Sequence, residues 1–316
     1  MGSLPADASR PLPITVIGGY LGAGKTTLLN SLLRAPGGRR IGVIVNDFGE
    51  LGVDASLIAS VAGSSAPIAN LANGCVCCTL GDDLGTTLVE MSAIEPWLDH
   101  IVIEASGVAD PAATAAWGTV PPFVPGGTIV LAAADGVQRM ARDRYVGGEV
   151  VRQLAGADLL IVTKSDLVSS DTLEHVVQWL ETVTRAPVVD GQGGAIGTDV
   201  VLGASTTTTP QRVRGRSTSA DERYERWAWT PVGPVARQAL DAFLADLPPG
   251  LLRLKGVVNV DIGIGSTATL VQVVGNAISL SVVADLGSMG LEAVGVRGVF
   301  DPARIEASAL KYLRPA

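Results

Sequence analysis

Residues 19–26 read Gly-Tyr-Leu-Gly-Ala-Gly-Lys-Thr, a match to the phosphate-binding pattern G-x-x-x-x-G-K-[ST]. This octapeptide works only between a strand and a helix start, so it constrains the fold more than any other stretch. Ile14 to Ile17 form a short apolar run ahead of it, and Thr27, Leu28, Leu29, Asn30, Ser31, Leu32 and Leu33 follow with helical apolar spacing. Gly19, Gly22, Ala23 and Gly24 let backbone N–H groups converge on phosphates, and the helix start adds a partial positive charge. Lys25 is then placed for the β- and γ-phosphates and the Thr26 hydroxyl for Mg²⁺, with Thr27 in the same first turn. With 38 glycines in the chain, a chance match somewhere in it has a frequency of roughly 1%, and the strand–helix setting lowers that further.

The chain has four lysines, Lys25, Lys164, Lys255 and Lys311, within a Lys plus Arg total of 23. A composition that avoids lysine keeps one where ammonium chemistry differs from guanidinium. Lys164 lies in Thr163-Lys164-Ser165-Asp166, directly after the apolar run Leu159 to Val162. That is the T/N-K-x-D pattern of a guanine site. The Asp166 carboxylate can accept from both N1–H and the exocyclic amine of guanine, whereas adenine offers neither and would leave the carboxylate unpaired. The Lys164 stem packs along the base. The predicted nucleotide is therefore GTP.

All three cysteines fall within Cys75-Val76-Cys77-Cys78. Residues 1–10 lack the apolar core of a secretory signal, and Ala6 breaks the myristoylation pattern. No run of 18 apolar residues predicts a membrane helix. The expected location is cytoplasmic, where thiols stay reduced. An odd, clustered set of thiols there points to metal binding or thiol chemistry rather than a disulfide, and soft thiolates select Zn²⁺, Cu⁺ and, in mixed sites, Co²⁺. His100 precedes an apolar run and His175 lies on a predicted helix surface, so neither is assigned to metal. The net charge of −8 argues against a broad basic nucleic-acid surface. Arg212, Arg214 and Arg216 read as a solvated loop.

Apolar runs predict strands at 14–17, 41–45, 100–104, 128–134 and 159–163, alternating with helices at 24–34, 82–95, 144–155 and 171–184. That alternation predicts an α/β P-loop domain with a mainly parallel sheet over residues 1–190. Asp47, Glu50, Cys75 to Cys78 and Glu104 all follow apolar runs, and in such a sheet these loops gather at the carboxyl ends of the strands, beside the phosphates. Residues 191–222, rich in Gly, Ser and Thr, are expected to form a flexible linker. Residues 223–316 are expected to form a smaller α+β domain. Its strands lie near 225–230, 252–262, 267–275, 278–284 and 292–299, and its helices at 234–246 and from Asp301-Pro302, a cap followed by proline. Trp227 and Trp229 share one strand face and read as packing.

Five segments carry a family resemblance: Gly18 to Asn30, Asn46-Asp47-Phe48-Gly49-Glu50-Leu51-Gly52-Val53-Asp54, Asn73 to Thr79, Ile103-Glu104-Ala105-Ser106-Gly107-Val108-Ala109-Asp110-Pro111, and Thr163 to Leu167. In this order they resemble the CobW-type metallochaperone GTPases, the P-loop group related to the urease- and hydrogenase-maturation GTPases. The likeness extends through Arg223 to Thr230, Leu252 to Gly256 and Gly298 to Pro302. The resemblance implies a GTPase that holds a divalent metal on Cys75, Cys77 and Cys78. It would deliver that metal to a client metalloprotein or a cofactor-biosynthesis protein. In that reading Thr26 with Glu104 or the 46–50 segment holds Mg²⁺. Asp47 or Glu50 orients water or holds Mg²⁺, and residues 47–50 form a switch.

Three features depart from the family pattern: Thr163 stands where Asn is usual, there is no histidine-rich stretch, and Pro67 to Ala72 lack the glutamate often found before the cysteines. A homodimer is left open. So are two competing readings: a P-loop kinase or ATPase with incidental cysteines, and a nucleotide-controlled activator of a metalloenzyme that binds no metal itself.

Overall fold

The computed structural model describes residues 11–45, 68–70, 80–107, 109–191, 196–203, 223–263, 265–283 and 289–314. The chain divides into two compact units, Met1–Thr198 and Asp199–Ala316.

In the first unit, strand β1 (Leu12–Gly18) leads through the glycine-rich loop into helix α1 (Lys25–Arg34). β2 (Ile41–Val45) and β3 (Ile68–Asn70) follow, then α2 (Leu80–Ser92), β4 (His100–Glu104), α3 (Pro111–Ala115) and β5 (Phe123–Ala133). The unit continues with α4 (Val137–Ala141), α5 (Gly147–Ala155), β6 (Leu159–Thr163), α6 (Ser170–Val183) and β7 (Val188–Asp190). The seven strands form one sheet in the order β3-β2-β4-β1-β5-β6-β7, and every pairing in it is parallel.

β1, β2 and β4 are buried along their whole length. That is why they read as mainly apolar runs rather than alternating ones: a parallel sheet is covered on both faces. Two clusters make the core. One packs Ile14, Val16, Ile101 and Ile103 against Leu84, Leu88 and Met91 of α2. The other packs Val130, Ala132, Leu160 and Val162 against Val150 and Leu154 of α5 and Val176 and Leu180 of α6. Burying each Val, Leu, Ile or Met side chain among them contributes roughly 1.5–3 kcal/mol.

In the second unit come α7 (Thr198–Leu202), which begins at the division between units, β8 (Tyr224–Trp229), β9 (Val235–Ala236), α8 (Arg237–Ala245) and β10 (Leu251–Asp261). Then follow β11 (Ser266–Val274), β12 (Ala277–Val282), β13 (Gly290–Val296) and α9 (Pro302–Tyr312). The strands run β12-β11-β10-β13-β8, antiparallel throughout, with β9 added in parallel to β10. Trp227, Leu254, Val258, Val271 and Leu291 of the sheet pack on Phe243 of α8 and Ile305 of α9. The Asp301 side chain caps α9 by accepting from the Ala303 N–H at 2.9 Å, with Pro302 next in the chain. Trp229 packs at the rim of this core.

The reading of 191–222 as a linker needs correction at residues 198–202. They form α7, with Val200, Val201 and Leu202 buried. The three consecutive apolar residues Val-Val-Leu outweigh the Gly/Ser/Thr composition around them. Five short elements, β3, α3, α4, β7 and β9, leave no signal in the sequence, because stretches of two to five residues are too short to show a period. Among the described residues no helix is long and apolar enough to cross a membrane.

Candidate nucleotide site

β1 delivers the chain into the loop at Gly19, whose φ is +131°; a Cβ there would lie 2.6 Å from the carbonyl oxygen of Leu131. Only glycine satisfies both the left-handed backbone and the close approach to β5. The Ala23 N–H donates to the Tyr20 carbonyl at 3.0 Å and closes the turn. α1 then starts with Gly24 in the left-handed region as its cap, and no side chain caps its N–H groups. Those donors are the ones an anion takes at a helix start. Lys25 is buried, and its ammonium donates to the Gly19 carbonyl at 2.9 Å. The positive charge is thus folded over the loop itself.

Thr26 sits beside Glu104: its hydroxyl donates to Glu104 Oε1 at 3.2 Å. Glu104 ends β4 and is 4% exposed. Four strand ends line up in register here, Asn70 of β3, Val45 of β2, Glu104 of β4 and Ile17 of β1. A hydroxyl and a buried carboxylate converging at the phosphate loop are the hard oxygen donors that Mg²⁺ takes, so the residues present fit that ion. Asp47 and Glu50 follow β2 in sequence and Cys75, Cys77 and Cys78 follow β3. All five lie outside the described residues.

On the other side of β1, Thr163 ends β6 and donates its hydroxyl to the Ala23 carbonyl at 2.8 Å. The residue that stands in the place of the usual asparagine thus fastens the T-K-x-D segment to the phosphate loop. Lys164 has φ +56°, the one non-glycine residue in the left-handed region among the described residues. Such backbone costs of order 1 kcal/mol or more and is held where the surroundings demand it. Its ammonium lies 3.5 Å from Asp135 Oδ2. Asp166 is exposed, in the short 3₁₀ turn Ser165–Leu167. Ser165 donates to Asp190 at 2.6 Å and so fixes this turn to the end of β7.

Sequence reading missed three residues here. Asp135 and Asp190 each end an apolar run, a signal that could have found them. Gln153 has no such signal: it is one polar position in an otherwise ordinary helix. It is buried and reaches across to the loop after β4, donating to the carbonyls of Gly107 and Ala109 at 3.2 and 2.8 Å. A pocket of about 130 Å³ opens under the phosphate loop, bounded by Tyr20, Leu21, Asp135, Arg139, Gln153 and Lys164 among others.

Among the described residues no group of three or more His, Cys, Asp or Glu is placed to hold a metal ion. His100 is buried, with Nε2 2.8 Å from the Thr15 hydroxyl, which itself donates to the Gly126 carbonyl at 3.0 Å. Thr15 has therefore used its proton, and His100 Nε2 is the donor of that pair. His175 is exposed on α6. Among the described residues, neither histidine belongs to a group placed to hold a metal ion.

The model of the CobW/HypB/UreG nucleotide-binding domain matches residues 13–190. The chain belongs to the CobW/HypB/UreG family. The cobalamin synthesis protein cobW C-terminal domain matches residues 224–306. A zinc chaperone CobW from Sinorhizobium sp. is 34% identical over 224 residues, covering 61% of this chain and 62% of the relative. The zinc-regulated GTPase metalloprotein activator 1 of Schizosaccharomyces pombe is 33% identical over 176 residues, covering 53% of this chain and 42% of that one. The chain thus spans less than two thirds of either curated relative. The Zn(II)-bound YjiA GTPase from E. coli gives a TM-score of 0.47 at 22% identity, over 96% of this chain and 99% of that one. In CobW-family terms, residues 13–190 are the nucleotide-binding domain and 224–306 the C-terminal domain.

Proposed function

We propose that this chain is a GTP-hydrolysing metallochaperone of the CobW type. It binds GTP with Mg²⁺, takes zinc or cobalt on Cys75, Cys77 and Cys78, and hands that ion to a client metalloprotein or cofactor-biosynthesis protein. The observation that carries the nucleotide half is the Thr163–Ala23 hydrogen bond, which joins a base-reading segment to a phosphate loop in one site. The cargo half is supported by the names of the two curated relatives, a zinc chaperone and a zinc-regulated GTPase metalloprotein activator. The C-x-C-C thiols add the donor chemistry.

In this reading Asp166 accepts from N1–H and the amine of guanine, and the Lys164 stem lies along the base. Lys25 leaves the Gly19 carbonyl for the β- and γ-phosphates and stabilises the charge that develops on transfer to water. Thr26 and Glu104 hold Mg²⁺. When bound, that ion neutralises charge on the β- and γ-phosphate oxygens. Asp47 or Glu50 orients the attacking water, and residues 47–50 order with the γ-phosphate and relax on its loss. The thiols then release their cargo. We place the protein in the cytoplasm.

Anaerobic titration with Zn²⁺ or Co²⁺ in the presence of a non-hydrolysable GTP analogue, of GDP, and of no nucleotide tests the proposal. Tighter metal binding in the GTP-analogue state is expected, with thiolate-to-cobalt charge-transfer bands in the near ultraviolet. Equal affinity in all three states would reduce the protein to a GTPase with an independent metal site.

A further inference from the structure

The loop that follows Glu104 is tied at several points. The Ala105 N–H donates to the Ile17 carbonyl at 2.9 Å and prolongs the β4–β1 ladder. The Ala109 N–H donates to the Ser106 carbonyl at 3.0 Å. Gly107 lies against the phosphate loop so closely that a Cβ there would meet Leu21 Cδ2 at 2.6 Å and its backbone nitrogen at 3.1 Å. Asp110 caps α3 by accepting from the Ala112 N–H at 2.9 Å. A side chain from another element holds this loop: Gln153 of α5, 44 to 46 residues away in sequence, whose single NH₂ group donates to both Gly107 and Ala109. It is 2% exposed. Its orientation follows from chemistry, because the flipped amide would set an oxygen against two carbonyl oxygens. Its Oε1 has no hydrogen-bond partner among the described residues, so the amide is held by what it donates.

We infer that Gln153 is a positioning residue for GTP hydrolysis. By holding Gly107 and Ala109 it fixes the loop between Glu104 and α3, and through the Gly107–Leu21 contact it fixes the outer turn of the phosphate loop. The same loop starts at the carboxylate that receives the Thr26 hydroxyl. Losing the two hydrogen bonds would leave Glu104 on its strand but free the residues after it to move relative to Leu21. Small displacements of this kind act on the rate of the chemical step more than on the affinity for a nucleotide already held by the loop and the base. The inference rests on the nucleotide site proposed above and adds a residue to it.

The test is Gln153→Met, which keeps length and volume and removes both donors. In the full chain, kcat for GTP is expected to fall about tenfold or more, with GDP affinity within about twofold of wild type. Amide exchange in a peptide spanning 105–110 is expected to quicken while the β1 and β5 peptides keep their protection. A kcat within about twofold of wild type, or equal losses in kcat and GDP affinity, would overturn the assignment, since a purely structural residue weakens both together. Gln153→Ala serves if the methionine variant does not fold. If neither folds, Gln153 is a scaffold residue and the inference fails. Lys25→Ala runs in the same assay. Turnover surviving in that variant sinks the phosphate-site reading itself, whereas turnover lost there and intact in Gln153→Met sinks only the inference.

Discussion

Thr163 and Ala23, 140 residues apart in the chain, are joined by a 2.8 Å hydrogen bond from the threonine hydroxyl to the alanine carbonyl. The bond closes a short circuit between the segment that would read the base and the loop that would hold the phosphates. Valine at 163 matches threonine in shape and removes the donor. Thr163→Val should weaken GTP and GDP alike by about 0.5–1.5 kcal/mol, or roughly two- to twelve-fold. Fluorescent-nucleotide titration measures it. Unchanged affinity for both would show that the bond does not support the nucleotide site.

Asp166 is exposed in its 3₁₀ turn and open to a base. Asp166→Asn should weaken GTP and improve recognition of xanthosine triphosphate, whose C2 carbonyl meets the new amide donor. The expected switch is about tenfold or more in relative affinity, since each exchanged charged hydrogen bond is worth roughly 1.5–3 kcal/mol. Competition between the two triphosphates reads it directly, and a variant that still prefers GTP as strongly as wild type removes Asp166 from the site.

The Thr26–Glu104 contact predicts a dependence on Mg²⁺. Thr26→Ala and Glu104→Gln should each raise the Mg²⁺ concentration for half-maximal hydrolysis by about tenfold, the order of one lost ligand or of its partner. GDP binding without Mg²⁺ should change little. Wild-type Mg²⁺ dependence in both variants would place the ion elsewhere.

Linkage makes the cargo prediction quantitative. If the GTP state binds metal more tightly by a factor α, metal must tighten GTP binding by the same α, and typical couplings of about 1–3 kcal/mol put α between roughly 5 and 150. Replacing Cys75, Cys77 and Cys78 with Ser should abolish the metal effect on GTP affinity and leave metal-free GTP binding in place. A triple variant whose GTP affinity still responds to zinc would acquit the thiols.

Much of this protein is legible along the chain, because the features concerned are local. The phosphate loop is eight consecutive residues, and its neighbours announce a strand and a helix by their own apolar spacing. The strands expected at residues 41–45, 100–104 and 159–163 coincide with β2 (Ile41–Val45), β4 (His100–Glu104) and β6 (Leu159–Thr163). A strand buried on both faces shows itself as a mainly apolar run. The Asp301-Pro302 helix start is local in the same way: a cap and a fixed φ act on adjacent residues.

Strand order is not local. β4 lies between β1 and β2, and only that insertion sets Glu104 beside Thr26 rather than merely somewhere on the carboxyl edge. Thr163 on Ala23, Thr26 on Glu104 and Gln153 on Gly107 span 140, 78 and 46 residues. A hydrogen bond between such residues leaves no period and no motif, since each partner is a common residue in an ordinary neighbourhood. Adjacent residues alone write the phosphate-loop pattern and the longer strands of the parallel sheet. The tertiary structure decided which of those groups meet, because contact between distant residues depends on how the strands are ordered and registered.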